Sequence, residues 1–341
     1  MFDFFGTADL GVDLGTGFTR MAVVGEGLVL EEASVVVRSR RNGNIIAVGD
    51  KACPMLGRVP EEWEAVRPLR NGVIADFDLT KIMLRSYLKR ILGKRFFSRP
   101  RLVLSTFSGV TSVERRAVLD AATEAGAREA YLLDAPLAAA LGAGVDVKGT
   151  RGTLVVHMGA GSVEAAVFCL GRIALVRCLR QGGEALDWAL AQYLRKNYNL
   201  VVGNNRAEQA KIEIGTVWES NPPASMEIKG KNLLTGMPAA VNLNQNQMRE
   251  AFQGPVQSML ELVRSVLEDL DGELLTAVKE QGILLTGGCA QLRNFDSLLN
   301  WASGLRVHVA ENAPHCAVRG TAMAAENMNA FRRSGYTRQS E

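Results

Sequence analysis

The hydrophobic positions of the N-terminal region form short runs that are separated by glycine turns. Apolar runs alternate with short glycine turns across residues 10–37, and this pattern predicts an antiparallel meander. The run RLVLST (101–106) predicts a short buried strand. In YLLDAPLAAALGAG (131–144) and GILLTGGCAQL (282–292), a strand-like run leads into a helix. The chain is therefore expected to be of the α/β class.

Other segments follow the helical period. Residues 76–92 place one set of side chains on a common helical face, namely Leu79, Ile82, Met83, Ser86, Tyr87 and Ile91. Thr111 and Glu114 predict a capping box for a helix that ends at Gly126. Further helices are predicted over 184–198, 205–218 and 255–270, and the tail 332–341 is polar and expected to fray.

An internal repeat organises these elements. VDLGTGFTRMAVV (12–24) aligns with VHMGAGSVEAAVF (156–168), so that Asp13 corresponds to His157, 144 positions further on. Each copy is a strand, a glycine turn and a second strand. Two unrelated glycine hairpins would give the same local similarity. The repeat favours two related α/β domains, each of which presents one hairpin to a shared cleft.

Glycine turns of this kind suit a phosphate group. Without a Cβ, the backbone N–H groups can approach phosphate oxygens closely. Gly15, Thr16 and Gly17 are therefore candidate donors in the first turn, and Asp13 at the strand end is a candidate to hold the water shell of a Mg²⁺ ion. A third glycine turn, Gly287–Gly288, strengthens the prediction of a phosphate site.

Composition and charge narrow the function. With 341 residues, two domains are expected. The net charge of +3 gives no reason to expect a nucleic-acid partner. No apolar run approaches the roughly 18 residues of a spanning helix, and the start MFDFFGTADLG lacks the features of a secretory signal. The five cysteines show no CxxC spacing, so reduced thiols and a cytoplasmic location are expected.

Several stretches, in order from about residue 10 to about residue 325, resemble the MreB family of bacterial actins, within the actin/DnaK/sugar-kinase ATPase superfamily. They are DLGTGFT, VRPLRNGVIADFD, VERRAVLDAATEAGAREAYLLDAPLAAALGAG, GKNLLTGMPAAVNLN and GILLTGGCAQLRNFDSLL. The resemblance implies an actin-like fold, with two duplicated RNase H-like domains around a nucleotide cleft. Domain I is expected over residues 1–145 plus 312–335, and domain II over 146–311.

The same resemblance implies a site for ATP or ADP. Its phosphate positions would be Asp13, Gly15, Thr16 and Gly17 in the first turn and Gly159, Ala160 and Gly161 in the second. Its adenosine-side positions would be Gly182, Gly183, Glu208, Lys211, Gly287 and Gly288. Asp13 would direct Mg²⁺ through water, with magnesium binding weak or absent because of the departures from the family pattern.

The second turn departs from the family pattern. Where the family reads D-I-G-G-G-T-T-E, this chain reads HMGAGSVE, which places His157, Ala160, Ser162 and Val163 at the changed positions. The family's E-E-P reads DAP, so that Ala135 stands where a glutamate orients the attacking water. No catalytic position is then intact, and ATP hydrolysis is expected to be weak or lost. The alternative is that His157 is a strand-end histidine without a role, which would not restore hydrolysis.

Two phenylalanine clusters suggest a membrane surface. They are Phe2, Phe4 and Phe5 at the start, and Phe96 and Phe97 within GKRFFSRPR. Rings flanked by cations suit an anionic membrane, at about 1 kcal/mol per cation, and the resemblance implies attachment through these two regions. The alternative is that the rings pack against their own domain.

Three functions remain open. The favoured one is a filament subunit that stacks head to tail on the inner membrane face and helps determine cell shape, with cell-wall elongation and membrane-anchor proteins as partners. A co-assembling or non-polymerising pseudo-ATPase regulator is its variant. A sugar-kinase-type enzyme is disfavoured by the missing carboxylates, and a DnaK-type chaperone by the expected absence of a peptide-binding domain after residue 341.

Overall fold

The computed structural model describes residues 9–93, 99–150, 152–219, 224–328 and 338–339. Within these ranges the strands are β1 (Asp9–Leu14), β2 (Phe18–Val23), β3 (Gly27–Ala33), β4 (Val36–Ser39), β5 (Ile45–Val48), β6 (Trp63–Val66), β7 (Leu69–Arg70), β8 (Val73–Ile74), β9 (Arg101–Thr106), β10 (Glu129–Asp134), β11 (Thr153–Met158), β12 (Val163–Cys169), β13 (Arg172–Leu179), β14 (Leu200–Val201), β15 (Ser225–Asn232), β16 (Pro238–Asn244), β17 (Ile283–Thr286), β18 (Val307–Val309) and β19 (Arg338–Gln339).

The helices of the same ranges are α1 (Phe77–Leu92), α2 (Ser112–Ala125), α3 (Ala135–Gly142), α4 (Gly183–Tyr198), α5 (Asn204–Ile214), α6 (Gln245–Glu268), α7 (Gly272–Gln281), α8 (Phe295–Ser303) and α9 (Cys316–Glu326). Except for the segment 338–339, the polar tail 332–341 lies outside the described residues, so its fraying stays a prediction.

The two large sheets share one arrangement. In the first, β1–β3 form an antiparallel meander and β9 and β10 extend it in parallel, in the order β19-β10-β9-β1-β2-β3. In the second, β11–β13 form the meander and β17 and β18 the parallel part, in the order β13-β12-β11-β17-β18. The two copies of the sequence repeat therefore lie at equivalent positions in two sheets of similar topology.

The remaining strands form small sheets. β4 pairs with β5 and β6, β15 pairs with β14 and β16, and β7 pairs with β8. The predicted meander therefore ends at β3 rather than at residue 37. The chain leaves the first sheet at Ser34, where the backbone N–H donates to the Gly17 carbonyl across the hairpin and Val35 turns back onto Ala33.

The helix predictions hold with corrections to ends and faces. In α2 the capping box is confirmed, with Glu114 N donating to Thr111 Oγ1 at 3.2 Å and the Glu114 carboxylate accepting from Thr111 N at 2.8 Å. α1 buries Leu84 and Leu88 beside Leu79 and Met83, whereas Ser86 is exposed. The predicted face was thus rotated by about one position.

Helix α6 begins ten residues before its predicted start at 255. The start lies at a capping box of Asn244 and Gln247, which the prediction overlooked, and Pro255 lies inside the helix. Helix α5 ends at Ile214 rather than at 218, because Gly215 adopts an extended backbone.

Two small-residue helices connect the sheets. α3 and α9 pack between them, in a hydrophobic cluster that includes Leu133 of the first sheet and Phe168 of the second. A Cβ at Gly142 would overlap the carbonyl oxygen of Cys316, and one at Gly320 would overlap that of Ala138. The helix axes can therefore approach this closely only because glycine stands at both positions.

We expect Gly142→Ala or Gly320→Ala to lower the free energy of unfolding by about 1–3 kcal/mol, because the added methyl must displace a backbone carbonyl. Denaturant unfolding measures this. Gly254→Ala is the matched control: a Cβ there meets no atom within 4 Å, and alanine in a helix gains about 0.5–1 kcal/mol over glycine. Equal behaviour of the three variants would contradict the packing described here.

Candidate functional site

A cavity of about 420 Å³ lies where the two glycine hairpins meet. It is bordered by the β1–β2 turn, the β11–β12 turn, the starts of α3 and α4, helix α5 and the turn after β17. The predicted site residues that line it are Asp13, Gly15, Thr16, Gly17, Ala135, His157, Gly159, Ala160, Gly161, Ser162, Gly183, Glu208, Lys211, Gly287 and Gly288. The structure therefore brings residues from 13 to 288 into one place.

Two predicted site residues lie elsewhere. Val163 is fully buried in the core of the second sheet, because it follows the turn as the first residue of β12 and points away from the cavity lined by Ser162. Gly182 packs on the second turn, where a Cβ would overlap the carbonyl oxygen of Gly159. Gly182 thus permits α4 to approach the turn and does not itself line the cavity.

The two turns contact each other directly. A Cβ on Gly17 would lie 2.9 Å from the Cβ of Ala160, and a Cβ on Gly161 would overlap the hydroxyl of Thr16. That hydroxyl accepts a hydrogen bond from Gly72 N at 3.1 Å. Glycine is therefore required at both points of approach.

The N–H groups of the turns divide into two kinds. Gly15 N donates to Phe18 O at 3.1 Å and Gly159 N donates to Ser162 O at 2.8 Å, so these two close their own turns. The predicted role of Gly15 as a donor to phosphate is therefore corrected to one in turn geometry. Within the described residues, no hydrogen bond uses the N–H groups of Thr16, Gly17, Ala160 or Gly161. These four are the candidate phosphate donors.

Asp13 and His157 occupy equivalent strand ends with different electrostatics. The Asp13 carboxylate accepts from Ser105 Oγ at 2.7 Å and lies 3.6 Å from Arg20 Nη1. The ring of His157 lies 3.2 Å from the hydroxyl of Thr286 through Nδ1. Burial lowers the pKa of His157, and the Arg20 charge adds to this effect while the Asp13 charge opposes it. His157 is therefore neutral near pH 7.

These charges do not fit a hydrated Mg²⁺ ion. Asp13 already faces a guanidinium, and a neutral imidazole supplies no negative charge at the second strand end. In the part of the chain that the structure describes, no three His, Cys, Asp or Glu side chains form a metal-binding group. The water-mediated role predicted for Asp13 thus lacks the second carboxylate that would share it.

Glu164 is a site residue that the sequence reasoning missed. It lies opposite His157 in the β11–β12 pairing, lines the cavity and is 1% exposed. Its carboxyl accepts from Ser108 N at 2.7 Å. Burial raises the pKa of Glu164 to about 8, so the group carries a proton near pH 7. The sequence signal that could have identified Glu164 is its position as the last residue of HMGAGSVE.

The start of α3 supplies no polar side chain to the cavity. Ala135 begins the helix and is 7% exposed. Asp134 does not line the cavity and lies 3.9 Å from Arg115 Nη2. The position to which the resemblance assigns a water-orienting glutamate is therefore apolar in this chain.

The predicted adenosine side is held by a buried ion pair. Lys211 Nζ donates to Gly183 O at 2.9 Å and to Asp187 Oδ2 at 2.8 Å. Burial raises the pKa of Asp187 to about 6, although the Lys211 charge opposes that shift. The pair fixes α5 against the start of α4, and Glu208 of α5 also lines the cavity.

Arg67 was also missed, although it lies in the quoted stretch VRPLRNGVIADFD. Its Nη1 donates to Gly17 O at 3.1 Å, and its Nε lies 3.3 Å from Glu184 Oε1. Its Nη2 lies 3.9 Å from Glu208 Oε2. One guanidinium thus connects the first phosphate turn to α4 and α5 across the cavity.

The predicted membrane residues cannot be located. Phe2, Phe4, Phe5, Phe96 and Phe97 all lie outside the described residues. Among the helices that the structure describes, none combines the length and the apolar composition needed to cross a membrane.

Comparison with known proteins identifies relatives over nearly the whole chain. Residues 7–333 match the family described as MreB/Mbl protein. The chain is 41% identical over 323 residues to the cell shape-determining protein MreB of Escherichia coli K12, covering 93% of each chain. It is 35% identical over 321 residues to the cell shape-determining protein Mbl of Bacillus subtilis 168, covering 94% of this chain and 96% of the relative.

Solved structures agree with the fold. MreB5 of Spiroplasma citri bound to ADP superposes with a TM-score of 0.91 at 27% identity, and its AMPPNP complex with a TM-score of 0.89 at 28% identity. Each comparison covers 96% of this chain and 99% of that one. The MamK double helical filament gives a TM-score of 0.79 at 18% identity over 94% of this chain and 99% of that one. The fold is actin-like, as the sequence predicted.

We expect Glu164→Gln to become more stable than the unaltered protein as the pH rises from about 5 to about 8. The folded pKa of about 8 exceeds the ordinary value of 4.5, so the stability contributed by the bound proton is present below about pH 4.5 and is lost as the pH rises to about 8. Glutamine keeps the acceptor for Ser108 without this loss, and a gain of at least about 1 kcal/mol is expected at pH 8.

Thermal unfolding at several pH values measures the effect. Glu26→Gln, at an exposed position in the β2–β3 turn, is the control and should show no such trend. A Glu164→Gln curve parallel to that of the unaltered protein at all pH values would contradict the buried, protonated state.

Proposed function

The chain belongs to the MreB/Mbl family, and from that premise we propose that it is a nucleotide-binding filament subunit that helps determine cell shape. The observation that carries the proposal is the contact between the two phosphate turns across one cavity. The relatives from E. coli and B. subtilis are described as cell shape-determining, MreB5 is described with ADP and with AMPPNP, and MamK as a filament.

The ligand of the cavity is ATP or ADP. The N–H groups of Thr16, Gly17, Ala160 and Gly161 would hold its phosphates, because they are turn donors without partners among the described residues. The adenosine would lie toward Gly183, Glu208, Lys211 and the Gly287–Gly288 turn, which line the same cavity.

Hydrolysis in this site is weak or absent. Ala135 has no group that could align or deprotonate a water molecule, and a base or positioning residue typically contributes 10²–10⁴-fold to the rate. The neutral His157 cannot replace a carboxylate in directing Mg²⁺. Nucleotide binding depends less than hydrolysis on positions 135 and 157, because the proposed phosphate donors are backbone N–H groups.

The filament would be a head-to-tail stack, since a heterologous contact repeats without closing. It would lie on the inner face of the cell membrane, through residues 1–5 and the cluster at Phe96 and Phe97, and would work with cell-wall elongation and membrane-anchor proteins. We retain the domain assignment of 1–145 plus 312–335 and 146–311. Strands β1–β3, β9 and β10 of the first large sheet fall in the first domain and all strands of the second sheet fall in the second, whereas β19 lies beyond residue 335.

A second candidate is a regulator that co-assembles with a hydrolysing relative. The apolar Ala135 favours it, because a subunit that holds nucleotide without cleaving it would stabilise a mixed filament against turnover. Electron microscopy of the purified protein separates the two functions, since only the first predicts filaments without a partner.

We expect the purified protein with ATP to form filaments while releasing phosphate at least about 10²-fold more slowly than hydrolysing bacterial actins. Negative-stain microscopy and a phosphate-release assay on the same samples measure both. The double variant His157→Asp, Ala135→Glu should raise phosphate release by about 10²-fold or more, and each single variant is its control. Monomers at all concentrations contradict the filament, and ordinary release by the unaltered protein contradicts the loss of hydrolysis.

We expect removal of residues 1–6 combined with Phe96→Ser and Phe97→Ser to abolish pelleting with liposomes that contain anionic lipid, because the rings and neighbouring cations would supply the attachment. Leu170→Ser is the control, since Leu170 is an exposed apolar side chain outside these clusters. Unchanged pelleting of the phenylalanine variant would refute membrane attachment through these residues.

A further inference from the structure

Arg20 places a guanidinium in the cavity lining, opposite Asp13. Neither the sequence patterns nor the family resemblance assigns a role to this residue. It lies on β2 directly opposite Asp13 of β1, and its side chain is 11% exposed. It lines the cavity. A guanidinium stays protonated at all physiological pH values, so this position carries a permanent positive charge.

Neighbouring side chains hold the guanidinium in one orientation. Nε and Nη2 both lie 2.8 Å from Glu31 Oε1, and the ring of Phe18 lies 5.4 Å from the guanidinium carbon. Glu31 is itself contacted by His315 Nε2 at 3.0 Å. Burial raises the pKa of Glu31, but the Arg20 charge and the hydrogen bonds from His315 and Arg20 outweigh it and lower that pKa. Glu31 is therefore a charged partner that fixes Arg20.

The third nitrogen is differently placed. Nη1 approaches Asp13 Oδ2 at 3.6 Å, which exceeds hydrogen-bond distance. Within the described residues Nη1 makes no hydrogen bond, so it keeps its donor capacity beside Asp13, which also lines the cavity. An arginine with two nitrogens engaged by one carboxylate and a third available is suited to a phosphate oxygen.

The guanidinium of Arg20 also weakens the capacity of Asp13 to attract a metal ion. Arg20 Nη1 lies 3.6 Å from Asp13 Oδ2, and the Ser105 hydroxyl donates to Oδ1, so the attraction of Asp13 for a hydrated divalent ion is reduced. With His157 neutral as well, both strand ends that face the phosphates have lost their attraction for metal, while the phosphates still require a counter-charge.

We propose that Arg20 is the phosphate-binding cation of this site and replaces the divalent metal, so that nucleotide binds independently of Mg²⁺. The proposal rests on the nucleotide-binding function proposed above and names the residue that makes binding metal-independent. Its ligand is the polyphosphate of an adenine nucleotide, which Nη1 would contact together with the backbone donors of the two turns.

Calorimetric titration of the full chain with AMPPNP, in EDTA and in millimolar MgCl₂, tests this. The unaltered protein should bind with similar affinity in both. Arg20→Gln should lose about 10-fold or more in EDTA, as expected for one charged hydrogen bond, and should recover part of that loss in MgCl₂ because Asp13 is then free. Arg20→Lys, which keeps the charge, should lose less in EDTA.

Arg177→Gln is the matched control, since Arg177 pairs with Asp269 at the surface and does not line the cavity. If thermal unfolding shows that Arg20→Gln does not fold, Arg20→Lys and the metal dependence of the unaltered protein still decide. Binding that the unaltered protein loses in EDTA, or equal affinity of the folded Arg20→Gln variant in EDTA, overturns the role of Arg20. A failure of the unaltered protein to bind nucleotide under either condition overturns the proposed function itself.

Discussion

The contact between two glycine turns is the constraint on which the rest of this molecule depends. Gly17 faces Ala160 and Gly161 faces Thr16 so closely that side chains larger than those present would separate the turns. The turns end equivalent strand pairs of two sheets, which α3 and α9 hold together through their own glycine contacts. Small residues therefore set two distances, that between the sheets and that between the turns. The backbone N–H groups of both turns then lie at the same cavity.

Charge then determines what the site can do. The resemblance implies carboxylates at both strand ends and a glutamate before the proline, whereas in this chain Asp13 lies 3.6 Å from Arg20, His157 is neutral and Ala135 is apolar. Arg20 lines the cavity beside Asp13. Arg67 contacts the first turn and connects it to α4 and α5. The proposed function follows from this combination: backbone N–H groups that could bind phosphate, and no carboxylate at the position of Ala135 or His157.

The features that were predictable from the sequence are the local ones. Glycine spacing, strand period and the Thr111–Glu114 capping box depend on residues a few positions apart, so the hairpins, α2 and the repeat could be predicted. Arg20 and Arg67 depend on strand register and on contacts between residues up to 141 positions apart, such as Arg67 with Glu208, which no single-sequence pattern reveals. Gly15 and Gly182 were assigned to ligand contacts, whereas glycine serves turn closure at one and close packing at the other.

The most direct test of phosphate binding between the two turns is a crystal structure of the protein crystallised with AMPPNP and MgCl₂. We expect the phosphates to lie between the two turns, within about 3 Å of the N–H groups of Thr16, Gly17, Ala160 and Gly161. A nucleotide bound elsewhere on the molecule, or turns that separate with no phosphate between them, would contradict it.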